Sequence, residues 1–376
     1  MTVYDQPVTT YSDTTPHQRV IADAISLIDP RDTPFLDAVG IDSARSKFGI
    51  RLNGYKIELL EDELDPLTGA CNHTTTITTN ATNFPVADAT IFQDGHVILV
   101  DSEYMIVAAA DVTLNTITVY SRTYGGTNAT HLSTSAIEIV GMARLEGDDA
   151  DYGAIVDITA PYNYTGIFQK AIKVTGTQQV ISQYGIDDEF MYQSNKALPH
   201  LFRLVEKAAF HGVRDAGSAS APRSMGGLET FITNNAVPIT TSITKTAVDA
   251  LAELIYDDGG IPDLFVCNHA VANDLRTQMD TSSWVQVTLE NTRFGMNAIT
   301  TLYTQYAVMR VLATRFCPVS RAYMIDSGKV GFYTLRPWFS KELAVTGDSK
   351  KGEVISELSL MVANDKSHGK ITGITS

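Results

Sequence analysis

The stretch LAVTGDSKKGEVISELSLMV, Leu343 to Val362, decides how the C-terminal part of the chain is read. Gly347, Asp348, Ser349, Lys350 and Lys351 stand between two apolar runs, the ingredients of a phosphate-binding loop. Such a loop continues from its second glycine into Lys and Ser or Thr, which open a helix whose amides point at the phosphate. Here Gly352 is followed by EVISELSLMV, whose apolar Val354, Leu358, Leu360 and Val362 mostly alternate as in a strand. The segment predicts a charged turn between two strands and no nucleotide site.

Charge supports that reading across all 376 residues. The formal net charge is −15, from 43 acidic against 28 basic residues, with no cluster of lysines and arginines. Tight binding to nucleic-acid phosphates needs such a cluster, so this class of function is excluded. With 44% hydrophobic and 19% charged residues the chain is globular, with length for one large domain or two to three smaller ones. No apolar run reaches the ~18 residues of a membrane span, and the first 30 residues lack a secretory pattern, which predicts a soluble protein made in the cytoplasm. Cys71, Cys267 and Cys317 are odd in number and widely spaced, which predicts reduced, buried thiols in place of a disulfide or zinc framework.

Upstream, residues 1–16 are polar and without a period, an extended arm. Thr15-Pro16 then starts a helix with Val20, Ile21, Ala24, Ile25 and Ile28 on one face, stopped by Pro30. Alternation begins at Gly49. From Thr68 to about Leu145 the text turns rich in Thr, Asn, Val and Ile, with the strand runs HVILV (His96–Val100), YMIVA (Tyr104–Ala108) and TITVY (Thr116–Tyr120). Turns fall at Asp101-Ser102 and Leu114-Asn115. This is a small all-β module set inside a longer two-stranded excursion, whose strand text resumes from Ile167 to Val180. Asp187, Asp188 and Glu189 precede a long helix ending at Gly212, with Phe190, Ser194, Ala197, Leu198, Leu201, Phe202, Val205, Ala208 and Ala209 as its apolar positions. Pro199 falls inside it and predicts a kink or local opening. Beyond a small-residue loop, helices at Thr246–Tyr256 and His269–Met279 alternate with strands at Leu264–Asn268, Thr301–Phe316 and Ala322–Asp326, an α/β body.

The residues that resemble chemical sites do not assemble into one. Asp148, Asp149 and Asp151 lack the twelve-residue calcium loop. The nearest histidine pair, His200 and His211, has no HExxH pattern. Cys267, Asn268 and His269 share a strand end, but neighbours in a strand point to opposite faces. No GxSxG is present, and the Asn-X-Thr sequons at Asn72, Asn80 and Asn128 are chance matches in threonine-rich text. The expectation is a non-enzyme, with no catalytic residue, no metal ligand and no cofactor. Its distinctive features are projections: an arm, a β excursion with its own module, and a long helix beside a compact body.

Specific text agrees. IDPRDTPFLDAVG (Ile28–Gly40), KVTGTQQV (Lys173–Val180), SMGGLETFI (Ser224–Ile232) and NHAVANDL (Asn268–Leu275) come first, then RFCP (Arg315–Pro318) and MIDSGKVGFYTLRPW (Met324–Trp338). ELAVTGDSKKGEVISELSL (Glu342–Leu360) and NDKSHGKITG (Asn364–Gly373) complete the series. In this order the segments resemble the major capsid (major head) proteins of tailed bacteriophages, in particular a subfamily with a β-rich module inserted near the extended loop. The resemblance spans most of the chain and is strongest after residue 220.

It implies an α+β fold of the tailed-phage capsid type. In that fold residues 1–35 would be the N-terminal arm and helix, and 45–180 the extended loop carrying the inserted module at about 68–145. Residues 187–224 and 326–376 would form the peripheral domain with its spine helix, and 225–325 the axial domain. The implied function is a structural subunit that self-assembles into hexamers and pentamers, closing an icosahedral head around double-stranded DNA without reading its sequence. Portal, scaffold and decoration or cement proteins are the implied partners, the virion shell the implied location, and the host cytoplasm the place of synthesis. The net negative charge would then keep the shell from adhering to densely packed DNA. Some members of the family join subunits covalently through lysine and asparagine; Lys173 and Asn364 are of those types, with no further sign of a pair. Two alternatives stay open, the shell of a bacterial nanocompartment with the same fold and a cysteine-dependent hydrolase around Cys267 and His269.

Overall fold

A computed structural model describes residues 32–40, 52–73, 76–126, 128–147, 158–279 and 301–375. The expected arm, its helix before Pro30, and Asp148, Asp149 and Asp151 lie outside them. The chain divides into two compact units, one of residues 1–59 with 161–376 and one of residues 60–160.

Helix α1 (Pro34–Val39) and strand β1 (Lys56–Glu58) precede the inserted unit, whose strands are β2 (Thr68–Ala70), β3 (Asn83–Pro85), β4 (His96–Val100), β5 (Glu103–Asp111), β6 (Thr116–Val119) and β7 (Ala136–Met142). The larger unit resumes with β8 (Tyr162–Tyr164), β9 (Gly166–Thr175), a short helix α2 (Gly176–Val180) and the long helix α3 (Glu189–His211). Next come α4 (Leu228–Phe231), β10 (Ala236–Pro238), α5 (Lys245–Asp257), β11 (Leu264–Cys267), α6 (His269–Met279), β12 (Thr301–Tyr303), β13 (Val308–Ala313) and β14 (Arg321–Ile325). Strands β15 (Val330–Glu342), β16 (Ser349–Val362) and β17 (Gly369–Thr372) end the fold.

The segment that resembled a phosphate loop is a hairpin. β15 and β16 pair antiparallel from Val330↔Val362 to Glu342↔Gly352, and Gly347 takes a left-handed φ of 86° in the turn. β16 also pairs with β9, so it is the middle of a three-stranded sheet in the order β15-β16-β9. Alternation fails along its second half, where Val354 to Val362 are all buried. The reason is that both faces are covered: Val354, Leu358, Leu360 and Val362 pack into apolar clusters on one face, while on the other Met361 joins the main core and Glu357 and Ser359 find hydrogen-bond partners. Pro337 lies in edge strand β15 where the register shifts between Arg336 and Phe339, a place where a missing N–H breaks little of the ladder.

The second sheet of this unit has six strands in the order β10-β17-β14-β11-β13-β12 and is mixed, with parallel pairs at β10/β17 and β11/β13. All four residues of β11 are buried. Leu264 and Val266 face the core shared with α3, while Phe265 and Cys267 face the core beneath α5 and α6. The C-terminal residues, expected wholly beside the long helix, divide: β15 and β16 stay with β9, but β17 joins the α/β sheet next to β14.

Helix α3 starts where its sequence says it should, because the Asp188 carboxylate accepts from the Phe190 and Met191 amides. It runs without a break through Pro199. The carbonyl that proline deprives of a partner belongs to the exposed Asn195, and the core face on either side, Ala197, Leu201 and Val205, stays anchored. The expected strand from Ile167 ends earlier than Val180, at Thr175. Its hydroxyl accepts from the Gln178 amide at 3.4 Å and turns the chain into α2.

The 60–160 unit is a single antiparallel sheet in the order β2-β7-β4-β5-β6-β3. The expected turns are present, with positive φ at Asp101 and Asn115. One face of the sheet, with Ile98, Val100, Met105, Val107, Ile117 and Ile137, buries itself under residues 71–92. At its end Arg122 makes a bidentate pair with Glu103 at 2.7 and 2.9 Å and donates to the carbonyls of Thr78, Ala81 and Ala129. Burial alone would raise the Glu103 carboxyl; its bonds from Arg122, the Ala129 amide and His131 outweigh this and hold it below the usual range. The unit thus has its own core and its own ionic fastening.

His368 in the larger unit is fully buried, accepting at Nδ1 from the Asp326 amide (3.2 Å) and facing the Ala363 carbonyl with Nε2 (3.0 Å). Burial holds its pKa down to about 4. Below pH ~6.5 the unfolded chain takes up a proton at this residue that the native state refuses, so the His368 contribution to stability should fall between pH ~6.5 and ~4, by about 3 kcal/mol in all. Because other buried groups titrate in the same window, it is read as the difference between the wild-type and His368→Asn slopes in thermal denaturation, the wild type losing more stability as the pH falls.

Candidate assembly interface

The base of the hairpin sheet is fixed by a charged knot. The Glu357 side chain, in the middle of β16, pairs with Arg223 and Arg336 and accepts from the Thr165 hydroxyl at 2.7 Å. Burial would raise this carboxyl, but the Thr165 hydroxyl and the two guanidiniums outweigh it and keep it ionised. Beside it Asn163 is fully buried, with Nδ2 donating to the Gly226 carbonyl (3.0 Å) and the Leu360 carbonyl (2.5 Å), and Oδ1 accepting from the Gly226 amide (2.8 Å). These bonds tie β8, the loop before α4 and β16 into one piece. Nearby, the Leu59 amide donates to the Pro161 carbonyl at 3.1 Å, which places the exit toward residues 60–160 and the return side by side.

Away from this base the sheet presents itself outward. β9 and β15 are its two edges, and β9 alternates between exposed Ile167, Ala171 and Lys173 and buried Ile172 and Val174. Val180 and Ile181, next along the chain, are 85% and 55% exposed. Edges and apolar groups left in this state are surfaces for another chain.

A second anchor lies under α3. Glu206 is completely buried on the helix's core face, its Oε1 accepting from the Thr314 hydroxyl at 2.6 Å and its Oε2 from the Leu36 amide at 3.5 Å. Burial pushes its carboxyl up to about 7 against these hydrogen bonds. It joins the long helix to α1, which leads back toward the N-terminal residues, and Arg315 pairs with Asp32 at the same place (2.8 Å).

The residues singled out for chemistry are not brought together. Cys267 is buried at the end of β11 with its thiol pushed up to about 12, while His269 is exposed at the start of α6. His200 and His211 do line one cleft of about 400 Å³, but its charged walls are Arg203, Lys207 and Arg315, which repel a cation. No group of three metal-ligating side chains occurs among the described residues. Lys173 and Asn364 are both exposed but lie toward opposite ends of the sheet: Lys173 pairs with Lys351, eleven residues before Val362 in β16, or roughly 36 Å at a strand's rise. Among the described residues no helix is long and apolar enough to cross a membrane.

Charge is distributed very unevenly. Residues 60–160 hold fifteen carboxylates against Arg122 and Arg144, a net of −13, which leaves −2 for the other 275 residues. Not one lysine falls between Lys56 and Lys170. The chain's acidity is a property of the inserted unit.

An α+β subunit with outward sheet edges, a long helix and a separately folded insertion has the form of a shell protein, and comparison with known proteins decides the family. The family model described as SU10 major capsid protein matches residues 8–375. The chain belongs to this family. It is a structural capsid subunit of a tailed phage. Solved capsids share the fold at low identity. The Cyanophage A-1(L) capsid is similar with a TM-score of 0.55 at 13% identity, covering 98% of this chain and 100% of that one. The capsid of a native GTA particle gives 0.53 at 11% over 96% of both chains, and Microbacterium phage Oxtober96 gives 0.51 at 11% over 98% and 99%. No curated protein matches the sequence.

Sequence reasoning missed Glu357, Glu206 and Asn163, the polar groups that fix this capsid subunit's frame. The signal was present in ISELSL, where Ser356, Glu357 and Ser359 interrupt an apolar strand, but their partners are 134 or more residues away for Arg223 and Thr165. Glu357→Ala leaves the Arg223 charge half-buried without its carboxylate. It should destabilise the subunit by about 3–5 kcal/mol, read from the midpoint of urea denaturation.

Proposed function

We propose that the subunit assembles into hexamers and pentamers and closes an icosahedral head around double-stranded DNA, acting as no enzyme. The observation that carries this reading is the family match, which runs through the body, the hairpin sheet and the insertion alike. In this reading residues 1–35 are the arm and 45–180 the extended loop with its module. Residues 187–224 and 326–376 apart from β17 are the peripheral domain around α3, and 225–325, with β17 paired into its sheet, the axial domain. The exposed edges of β9 and β15 and the apolar Val180 and Ile181 lie against neighbouring subunits. Each contact is modest; closure multiplies them, because every subunit repeats the same set of interfaces. A portal, a separate scaffold and decoration proteins complete the particle, which is built in the host cytoplasm.

The −2 carried by residues outside the insertion favours a body that neither binds nor strongly repels DNA. Negative-stain microscopy of the purified chain, with light scattering on the same sample, should show closed shells, rings of five or six, or tubes. A stable monomer at high concentration, persisting with the phage's own scaffold present, would overturn the proposal. So would particles from infected cells that hold protein cargo in place of DNA.

A further inference from the structure

The inserted unit is a one-layer sheet with its two faces built differently from what water alone demands. A solvated antiparallel sheet normally shows polar side chains on its outer face. Here the residues that alternate outward along β4 and β5 are Val97, Leu99, Tyr104, Ile106 and Ala108. The register sets Leu99 beside Tyr104 and Val97 beside Ile106, and the Tyr120 amide bonds to the Ile106 carbonyl at 2.9 Å, so the apolar rows of β4 and β5 continue to Tyr120, just past β6, whose own outward residues are Thr116 and Thr118. Tyr104 is 42% and Tyr120 57% exposed. Next to them a notch of about 210 Å³ is walled by Ile106, Tyr120, Ala143, Arg144 and Leu145, with Asp94 accepting from the Tyr120 hydroxyl at 3.2 Å. An open aromatic and aliphatic face with a notch of side-chain size is the anatomy of a protein-docking surface.

Charge selects the occupant. A second copy of the same unit would bring −13 against −13, a repulsion that counts most at short range. DNA is excluded for the same reason. We propose that the outer face of β4 and β5, with Tyr120, docks a separate, net-basic accessory protein, whose apolar side chain enters the notch at Ile106 and Tyr120 while its cations meet Asp94 at the notch and Glu138, which lies exposed beside Leu99. The proposal rests on the capsid reading and extends it: the chain's acidity steers a partner to the particle.

The test uses the full-length chain and, as probes, each small protein of sequence pI above ~9 encoded beside the capsid gene, purified singly. Binding is measured both to assembled shells by co-sedimentation and to free subunits by surface-immobilised kinetics. At least one probe should bind at up to one copy per subunit, with an association rate that falls about tenfold or more from low to high salt. Ile106→Asp with Tyr120→Asp should weaken it by at least tenfold, whereas Leu132→Asp, elsewhere on the same unit, should leave it unchanged. Both changed residues point outward, and circular dichroism of the double variant checks that the sheet persists. No binding by any basic probe, binding indifferent to the double variant, or electron cryomicroscopy of native particles showing the face bare or covered by another copy of this chain would overturn the proposal. Because free subunits are measured too, failure to form shells reads separately, against the capsid reading.

Discussion

Strand β16 is buried on both sides over its second half, and much of the larger unit follows from that constraint. A strand in this position needs a ladder on each edge, supplied by β15 and β9, and cover on each face, supplied by the apolar clusters around Val354, Leu358 and Leu360 on one side and by the packing of Met361 with the polar partners of Glu357 and Ser359 on the other. Its polar side chains cannot be left without partners at that depth. Ser356 donates to the Arg336 carbonyl, Ser359 to the Tyr164 carbonyl, and Glu357 gathers two arginines and a threonine. The partners come from β8, the link at Thr165 between β8 and β9, β15 and the loop before α4, so satisfying one strand fixes the relative positions of four other segments. A sheet rooted this firmly is able to carry its free edges away from the core without losing register.

The insertion uses the opposite arrangement. It buries one face of one sheet with its own loops and closes the end with the Arg122–Glu103 pair. Three carbonyl acceptors in addition to the carboxylate use up the guanidinium's donors, which is why a buried charge is tolerable there. Such a unit has a core of its own, so charge on its surface need not disturb the packing of the larger unit. That separation explains how a protein whose body is nearly neutral has a net charge of −15.

Helix α3 shows how packing decides a question that propensity leaves open. Pro199 removes one helical hydrogen bond, yet its neighbours on the core side, Ala197 and Leu201, are completely buried and hold both halves of the helix to the same surface. Glu206 on the same face is a cost accepted for connectivity, since its carboxylate is the acceptor that joins the helix to α1 and to Thr314.

From the sequence by itself came the elements with a strong local period or a chemical stop signal. The helix capped by Asp188, the strand His96–Val100 with its turn at Asp101, the helix His269–Met279 and the hairpin in place of a phosphate loop are of this kind. The order of its motifs also carried the capsid family. Local text fails where the deciding partner is distant. The sequence showed a spaced set of apolar residues in EVISELSLMV, but only cover on both faces of β16 buries every position from Val354 to Val362. Likewise Glu357, Glu206 and Asn163 read as ordinary polar residues until the fold brings their partners to them across 21 to 197 positions. The total of −15 was legible from composition, and its location on residues 60–160 became a statement about one surface only once the contacts divided the chain in two. Secondary structure is set by neighbours along the chain, whereas burial and pairing are set by neighbours in space.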